Sequence, residues 1–123
     1  MGAGGIGVSA LAEYAHAQGA HVTACDNSQN EMTMRLVSLG IDVFKGHEPS
    51  HVANCDTVVF TSAVRPGNPE RGEAEKRAGQ GLCEVVRRGA FLAKVLRGKQ
   101  LVGISGTHGK TTTTWLTGQL CMA

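Results

Sequence analysis

Two glycine clusters carry the residues with chemistry to offer. The first in importance lies near the C-terminal end: Gly106-Thr107-His108-Gly109-Lys110-Thr111-Thr112. A lysine set between a glycine and a run of hydroxyls, at the start of an expected helix, suits a polyphosphate. Backbone N–H groups of such a loop cradle the β- and γ-phosphates, Lys110 brings a mobile cation, and the Thr111 hydroxyl can ligate Mg²⁺. The pattern is shorter than the full G-x-x-x-x-G-K-[ST] loop, because Ile104 stands where its first glycine belongs. A plain helix-capping turn has no use for a lysine at this place. Thr111 to Thr114 are β-branched and poor helix formers. Hydroxyls there make sense where phosphate and metal sit.

The second cluster opens the chain. Gly2, Gly4 and Gly7 fit G-x-G-x-x-G, and Asp26 follows Gly7 by 19 residues at the end of an expected strand. The glycines allow a tight turn, close approach to a pyrophosphate and close helix–sheet packing, while the acid can accept hydrogen bonds from a ribose. This spacing allows a dinucleotide or a nucleotide-sugar. The competing reading is a glycine-rich tail.

Alternating elements must position both clusters. Val8, Leu11, Ala12 and Ala15 recur at helical spacing, and Gly19 stops that helix. Strands are predicted at His21–Cys25, Ile41–Phe44, Thr57–Thr61, Leu82–Val86 and Leu101–Ser105. Helices are predicted around Met32–Leu39, from the cap Asn68-Pro69-Glu70 to Ala78, around Phe91–Leu96, and over Thr111–Met122. Strands alternating with helices imply an α/β fold, a doubly wound, Rossmann-like parallel sheet. The polar stretch Arg97-Gly98-Lys99-Gln100 marks a boundary. Residues 1–97 read as one Rossmann-like domain. Residues 98–123 read as the opening strand, phosphate loop and helix of a truncated ATP-binding domain, with Trp115, Leu116 and Leu120 left as an apolar face. The first loop begins at residue 2, so no strand feeds it. A sheet without that strand exposes the edges of its neighbours.

Composition narrows the classes. A net charge of +2 over 123 residues, with no basic block, gives no case for nucleic acid or an anionic membrane. Charged residues at 18% and apolar residues at 41% fit a folded globular chain. No signal peptide or membrane-spanning run is seen, and the expected location is the cytoplasm. Cys25, Cys55, Cys83 and Cys121 show no C-x-x-C spacing and read as reduced, largely buried thiols. His16, His21 and His51 read as surface or half-buried side chains, and Arg87-Arg88 as a solvated pair.

Gly106-Thr-His-Gly-Lys-Thr-Thr-Thr-Thr114 after a β-branched strand resembles the ATP loop of the Mur ligases. His108 is similar to the branch that joins L-alanine to UDP-N-acetylmuramate and to the branch that recycles whole peptides. Gly2 to Ser9, Asp26, Gly46-His47, Thr61 to Val64, Gly67 to Glu70 and Val86 to Arg88 resemble the same family in order along the chain. The segment Ala78 to Leu82 and Ala90 depart from its pattern.

The resemblance implies an ATP-dependent amide ligase of peptidoglycan precursor synthesis, acting through an acyl phosphate with ATP and Mg²⁺. It assigns Lys110 to the β/γ-phosphates as the catalytic cation, Thr111 to the metal, and Gly106 to Thr112 to ATP. Gly2, Gly4, Gly5 and Gly7 fall to the UDP pyrophosphate, and Asp26 and His47 to ribose or uracil. It also implies that further ligase domains complete the enzyme and that these 123 residues alone do not catalyse. A dinucleotide-dependent oxidoreductase and a non-catalytic nucleotide-binding module remain as other classes; the second phosphate loop speaks against the former.

Overall fold

A computed structural model describes all residues, 1–123. Helix α1 (Ile6–Ala17) leads to β1 (Thr23–Asp26), α2 (Glu31–Ser38) and β2 (Asp42–Lys45). A 3₁₀ turn (Pro49–Val52) precedes β3 (Thr57–Phe60), α3 (Pro69–Gly79), β4 (Glu84–Arg87) and α4 (Arg88–Val95), and α5 (Lys110–Met122) closes the chain. Local chemistry sets several of these starts. Asn30 caps α2 by accepting from the Thr33 N–H, and Thr33 answers by accepting from the Asn30 N–H. Asn68 accepts from the Arg71 N–H, with Pro69 at the first helical position of α3.

The strands form two parallel pairs rather than one sheet. β1 pairs with β2 in the register Thr23 to Asp42, and β3 pairs with β4 in the register Thr57 to Glu84. Each pair is a β-α-β unit, so the alternation read from the sequence gives an α/β chain with parallel pairing, as the crossover helices require. The first residues bridge the pairs through the backbone. The N–H groups of Gly2 and Ala3 both donate to the Cys25 carbonyl at 3.0 and 3.1 Å, and the N-terminal ammonium donates to the Val59 carbonyl at 2.7 Å. Beyond this bridge the facing edges of β1 and β3 border a cleft of about 860 Å³, lined in part by Ala24, Thr57, Val58 and Val59.

Two small cores flank this bridge, the first packing Cys25 of β1 with Val58 and Phe60 of β3. One gathers Met1, Cys25, Val52, Val58, Phe60, Val64 and Ala74; the other gathers Ala3, Val8, Ala24, Leu36 and Ile41. Because Met1 sits in one and Ala3 in the other, the short bridge belongs to both.

The C-terminal part departs from expectation. Leu101–Ser105 forms no strand. Its apolar, β-branched composition favours extension, but a strand needs a neighbour to pair its backbone, and none lies beside it. Helix α5 does form and buries no residue, so Trp115, Leu116 and Leu120 are exposed, as the sequence implies. Cys121 on this helix is also exposed, unlike the buried thiol expected, because α5 packs on no core.

Leu36→Ala removes a side chain that is 0% exposed, and its loss is expected to cost about 2–5 kcal/mol in urea denaturation. Leu120→Ala, at a position 79% exposed, is expected to shift stability by under about 0.5 kcal/mol.

Candidate functional site

The glycine loop is built by steric exclusion. A Cβ on Gly2, which holds a positive φ of 82°, would lie 2.1 Å from Thr61 Cγ2. On Gly4 it would meet Asp26 Oδ2 and Asn30 Nδ2 at 2.9 Å, and on Gly7 the Arg88 guanidinium at 2.3 Å. Gly5 has no such neighbour under 3.5 Å. Thus the three positions of G-x-G-x-x-G are the ones packing demands, and Gly5 is the one packing would release.

Asp26 closes this loop. Its Oδ2 accepts from the Gly4 N–H at 2.8 Å, and its Oδ1 accepts from the Ser28 N–H and hydroxyl at 2.9 and 3.0 Å. Asn30 adds a bond to the Gly4 carbonyl at 3.0 Å. Partial burial alone would raise the Asp26 pKa, but these donors outweigh it and hold the carboxyl below its ordinary value. In this arrangement Asp26 shapes the turn that presents the α1 N-terminus.

That N-terminus carries no side-chain cap: Gly5 stands at the cap, and no acid sits in the first turn. Its leading N–H groups and the positive end of the helix are open to a ligand. Arg88, at the start of α4, lays its guanidinium against Gly7 beside that same positive end. A cation there is repelled by the helix end unless an anion joins them. Arg87 and Arg88 are both exposed, as a solvated pair would be, and the direct passage of β4 into α4 also brings Arg88 beside the glycine loop.

His47 follows Gly46, whose N–H donates to the Asp26 carbonyl at 2.8 Å, but its ring belongs to a different cluster. Its Nδ1 lies 2.7 Å from Glu70 Oε2 and 3.6 Å from the Cys25 sulfur. His51 Nδ1 lies 3.2 Å from the other Glu70 oxygen, with its ring stacked on Phe44. The Cys25 thiol donates to Glu70 Oε2 at 2.9 Å. Burial, with the Glu70 carboxylate beside it, pushes the Cys25 thiol up to about 12 against the pull of the N-terminal ammonium. Glu70 itself is 1% exposed. Sequence reading gave it a role only in the first turn of α3 and took His51 as a surface or half-buried side chain, which in exposure it is. No local spacing announces their meeting, since it joins residues from three elements.

The second loop stands apart from these contacts. Gly106 to Thr112 are exposed. Gly109 caps α5 in the left-handed conformation, φ 77°, with no side-chain cap, which leaves the leading N–H groups of α5 open as at α1. Lys110 folds back so that its Nζ donates to the Gly106 carbonyl at 2.6 Å. Thr107, His108, Thr111 and Thr112 surround this turn in sequence.

Similarity to known proteins follows the front of the chain. The profile of the Mur ligase family, catalytic domain, matches residues 1–100. A UDP-N-acetylmuramate--L-alanine ligase of Bdellovibrio bacteriovorus is 45% identical over 117 residues, covering 95% of this chain and 25% of that protein. One from Allorhizobium ampelinum is 39% identical over 123 residues, covering 100% and 25%. The chain therefore spans about a quarter of the length of these curated relatives. The solved UDP-N-acetylmuramate:L-alanyl-gamma-D-glutamyl-meso-diaminopimelate ligase of Neisseria meningitides matches with a TM-score of 0.77 at 30% identity, covering 91% of this chain and 35% of that one. No helix is long and apolar enough to cross a membrane.

Asp26→Asn tests the loop closure. Since the folded carboxyl titrates below the unfolded value of roughly 3.9, its contribution is fully present above that value and is lost as pH falls through the folded one. The variant should be less stable than the parent at pH 7 by urea denaturation, with the gap closing as the pH falls below the unfolded value. Equal stability at pH 7 would show that the Gly4 and Ser28 bonds do not hold in solution.

Proposed function

The chain belongs to the Mur ligase family, and on that premise we propose that its glycine loop holds the diphosphate of UDP-N-acetylmuramate for an ATP-dependent ligase that adds L-alanine. The observation that carries this reading is the uncapped α1 N-terminus with the Arg88 guanidinium against Gly7. Two positive groups converge where Gly2, Gly4 and Gly7 admit no side chain, and a diphosphate is the ligand that satisfies both. Asp26 and His47 are read as the ribose or uracil contacts. Asp26 keeps its carboxylate ionised for that contact. The reading takes residues 1–97 as the nucleotide-sugar domain of a doubly wound fold and residues 98–123 as the start of the ATP domain.

In the proposed reaction the muramoyl carboxylate attacks the γ-phosphorus of ATP and ADP leaves. The alanine amine then attacks the acyl carbon, and phosphate leaves with the formation of the amide. Negative charge gathers on the transferring phosphoryl group. Lys110, once released from the Gly106 carbonyl, would hold the β/γ-phosphates, with the backbone of Gly106 to Thr112 around them. Thr111, whose hydroxyl stands exposed at the first turn of α5, fits a hard cation such as Mg²⁺, which supplies charge neutralisation at the phosphates. The acceptor is read as L-alanine from relatives that bear that name at 39–45% identity. A peptide acceptor, as in the Neisseria meningitides structure, is the second reading, supported by the fold match at 30% identity. Such a ligase works in the cytoplasm, where ATP and the nucleotide-sugar are found, and the remaining ligase domains would be its partners.

Calorimetry against the 123-residue chain is expected to show binding of UDP-N-acetylmuramate and none of NAD. Arg88→Ala should weaken the former by about tenfold, the loss of one charge-assisted contact worth roughly 1.4 kcal/mol. Binding of NAD without the nucleotide-sugar would overturn the reading. In an enzyme carrying all its domains, Lys110→Ala should lower turnover on the order of a hundredfold or more.

A further inference from the structure

The cluster around Glu70 lies outside the phosphate chemistry and has a chemistry of its own. Cys25 from β1, His51 from the 3₁₀ turn and Glu70 from α3 each aim one donor atom at a common point, all within 4.8 Å of one another. The Cys25 sulfur and Glu70 carboxylate are almost wholly buried, and His51 is half-buried against Phe44. His47 reaches the same carboxylate at 2.7 Å.

From this convergence we infer that Cys25, His51 and Glu70 form a zinc-class binding site, with His47 positioning the Glu70 carboxylate.

The donor set selects the ion. A thiolate with an imidazole suits a borderline-soft transition metal, whereas Mg²⁺ and Ca²⁺ take oxygen donors. Tetrahedral zinc, with bonds of about 2.0–2.3 Å, sets its donor atoms roughly 3.3–3.8 Å apart. The Cys25 sulfur stands 2.9 Å from Glu70 Oε2, His51 Nδ1 stands 3.2 Å from Oε1, and the three ligand atoms lie within 4.8 Å of one another, so seating an ion requires side-chain shifts on the order of 1 Å. The cleft between β1 and β3 reaches all three residues, which gives an ion its route in and leaves the fourth position to water. Binding exchanges the Cys25 S–H bond for a sulfur–metal bond and releases that proton to solvent; His51, bound through Nδ1, keeps its proton on Nε2. Two side chains of metal-binding type, Cys25 and His47, meet at Glu70 Oε2, and a third, His51, meets Oε1.

The test is a Co²⁺ titration of the reduced, metal-free chain, read by visible absorption and followed by back-titration with Zn²⁺. The expected result is saturation at one equivalent with intense tetrahedral d–d bands and a thiolate-to-cobalt charge-transfer band, both removed by Zn²⁺. Cys25→Ser should abolish the charge-transfer band, and His51→Asn should lose the tetrahedral intensity. His47→Ala should weaken cobalt affinity by about 10–100-fold while keeping the band positions, a pattern that a merely structural histidine would not give. A triple variant, Cys55→Ser with Cys83→Ser and Cys121→Ser, should keep the full spectrum, and it decides the matter even where Cys25→Ser fails to fold. No charge-transfer band in the parent chain, its loss in the triple variant, or its survival in a folded Cys25→Ser chain would each overturn the site.

Discussion

A single buried carboxylate holds the two halves of this chain in register. Glu70 belongs to α3 and the β3–β4 unit, yet its oxygens meet Cys25 of β1 and His47 just beyond β2, as well as His51 of the 3₁₀ turn. A buried charge left without partners is among the costlier defects a fold can carry, about 3–5 kcal/mol when one partner is removed. The two β-α-β units are thus bound to sit where these donors reach Glu70. The backbone bridge from Met1 to Ala3 crosses at the same level, with bonds to Cys25 on one side and Val59 on the other. Cys25 takes part in both links, through its side chain and through its carbonyl.

This constraint reaches the glycine loop directly. Asp26 follows Cys25 in β1, and its carboxylate fixes Gly4. The position of the α1 N-terminus therefore depends on the strand that Glu70 anchors. Arg88 comes to the same place from the other half, through β4 and α4. A ligand that engages the α1 N–H groups and the Arg88 guanidinium together would add a third link across the division between the strand pairs. No comparable frame supports Gly106 to Thr112, since α5 buries no residue.

What could be read from the sequence was local or periodic. The start of α3 at Asn68-Pro69, the glycine pattern ahead of α1 and the alternation of short strands with helices all depend on neighbours in the chain. The role of Glu70 was hidden, because an acid in a first helical turn already has a sufficient local explanation. The His51–Glu70 contact was hidden for the same reason: its partner comes from an element distant in sequence. Leu101–Ser105 shows the opposite failure. Its composition is that of a strand, and strand formation requires a partner that composition does not supply. The glycines were legible as a motif, but only the fold distinguishes Gly5, which has room for a side chain, from Gly2, Gly4 and Gly7, which do not.

The central claim is that a nucleotide-sugar diphosphate binds at the α1 N-terminus between the glycine loop and Arg88. The most direct measurement is the backbone amide and arginine side-chain NMR spectrum of the chain during titration with UDP-N-acetylmuramate. The account predicts saturable shifts at Gly4, Gly5, Ile6, Gly7 and the Arg88 Nε–H, with the amides of Gly106 to Thr112 unmoved. Shifts confined to Gly106–Thr112, or a silent glycine loop at ligand concentrations that saturate binding, would contradict it.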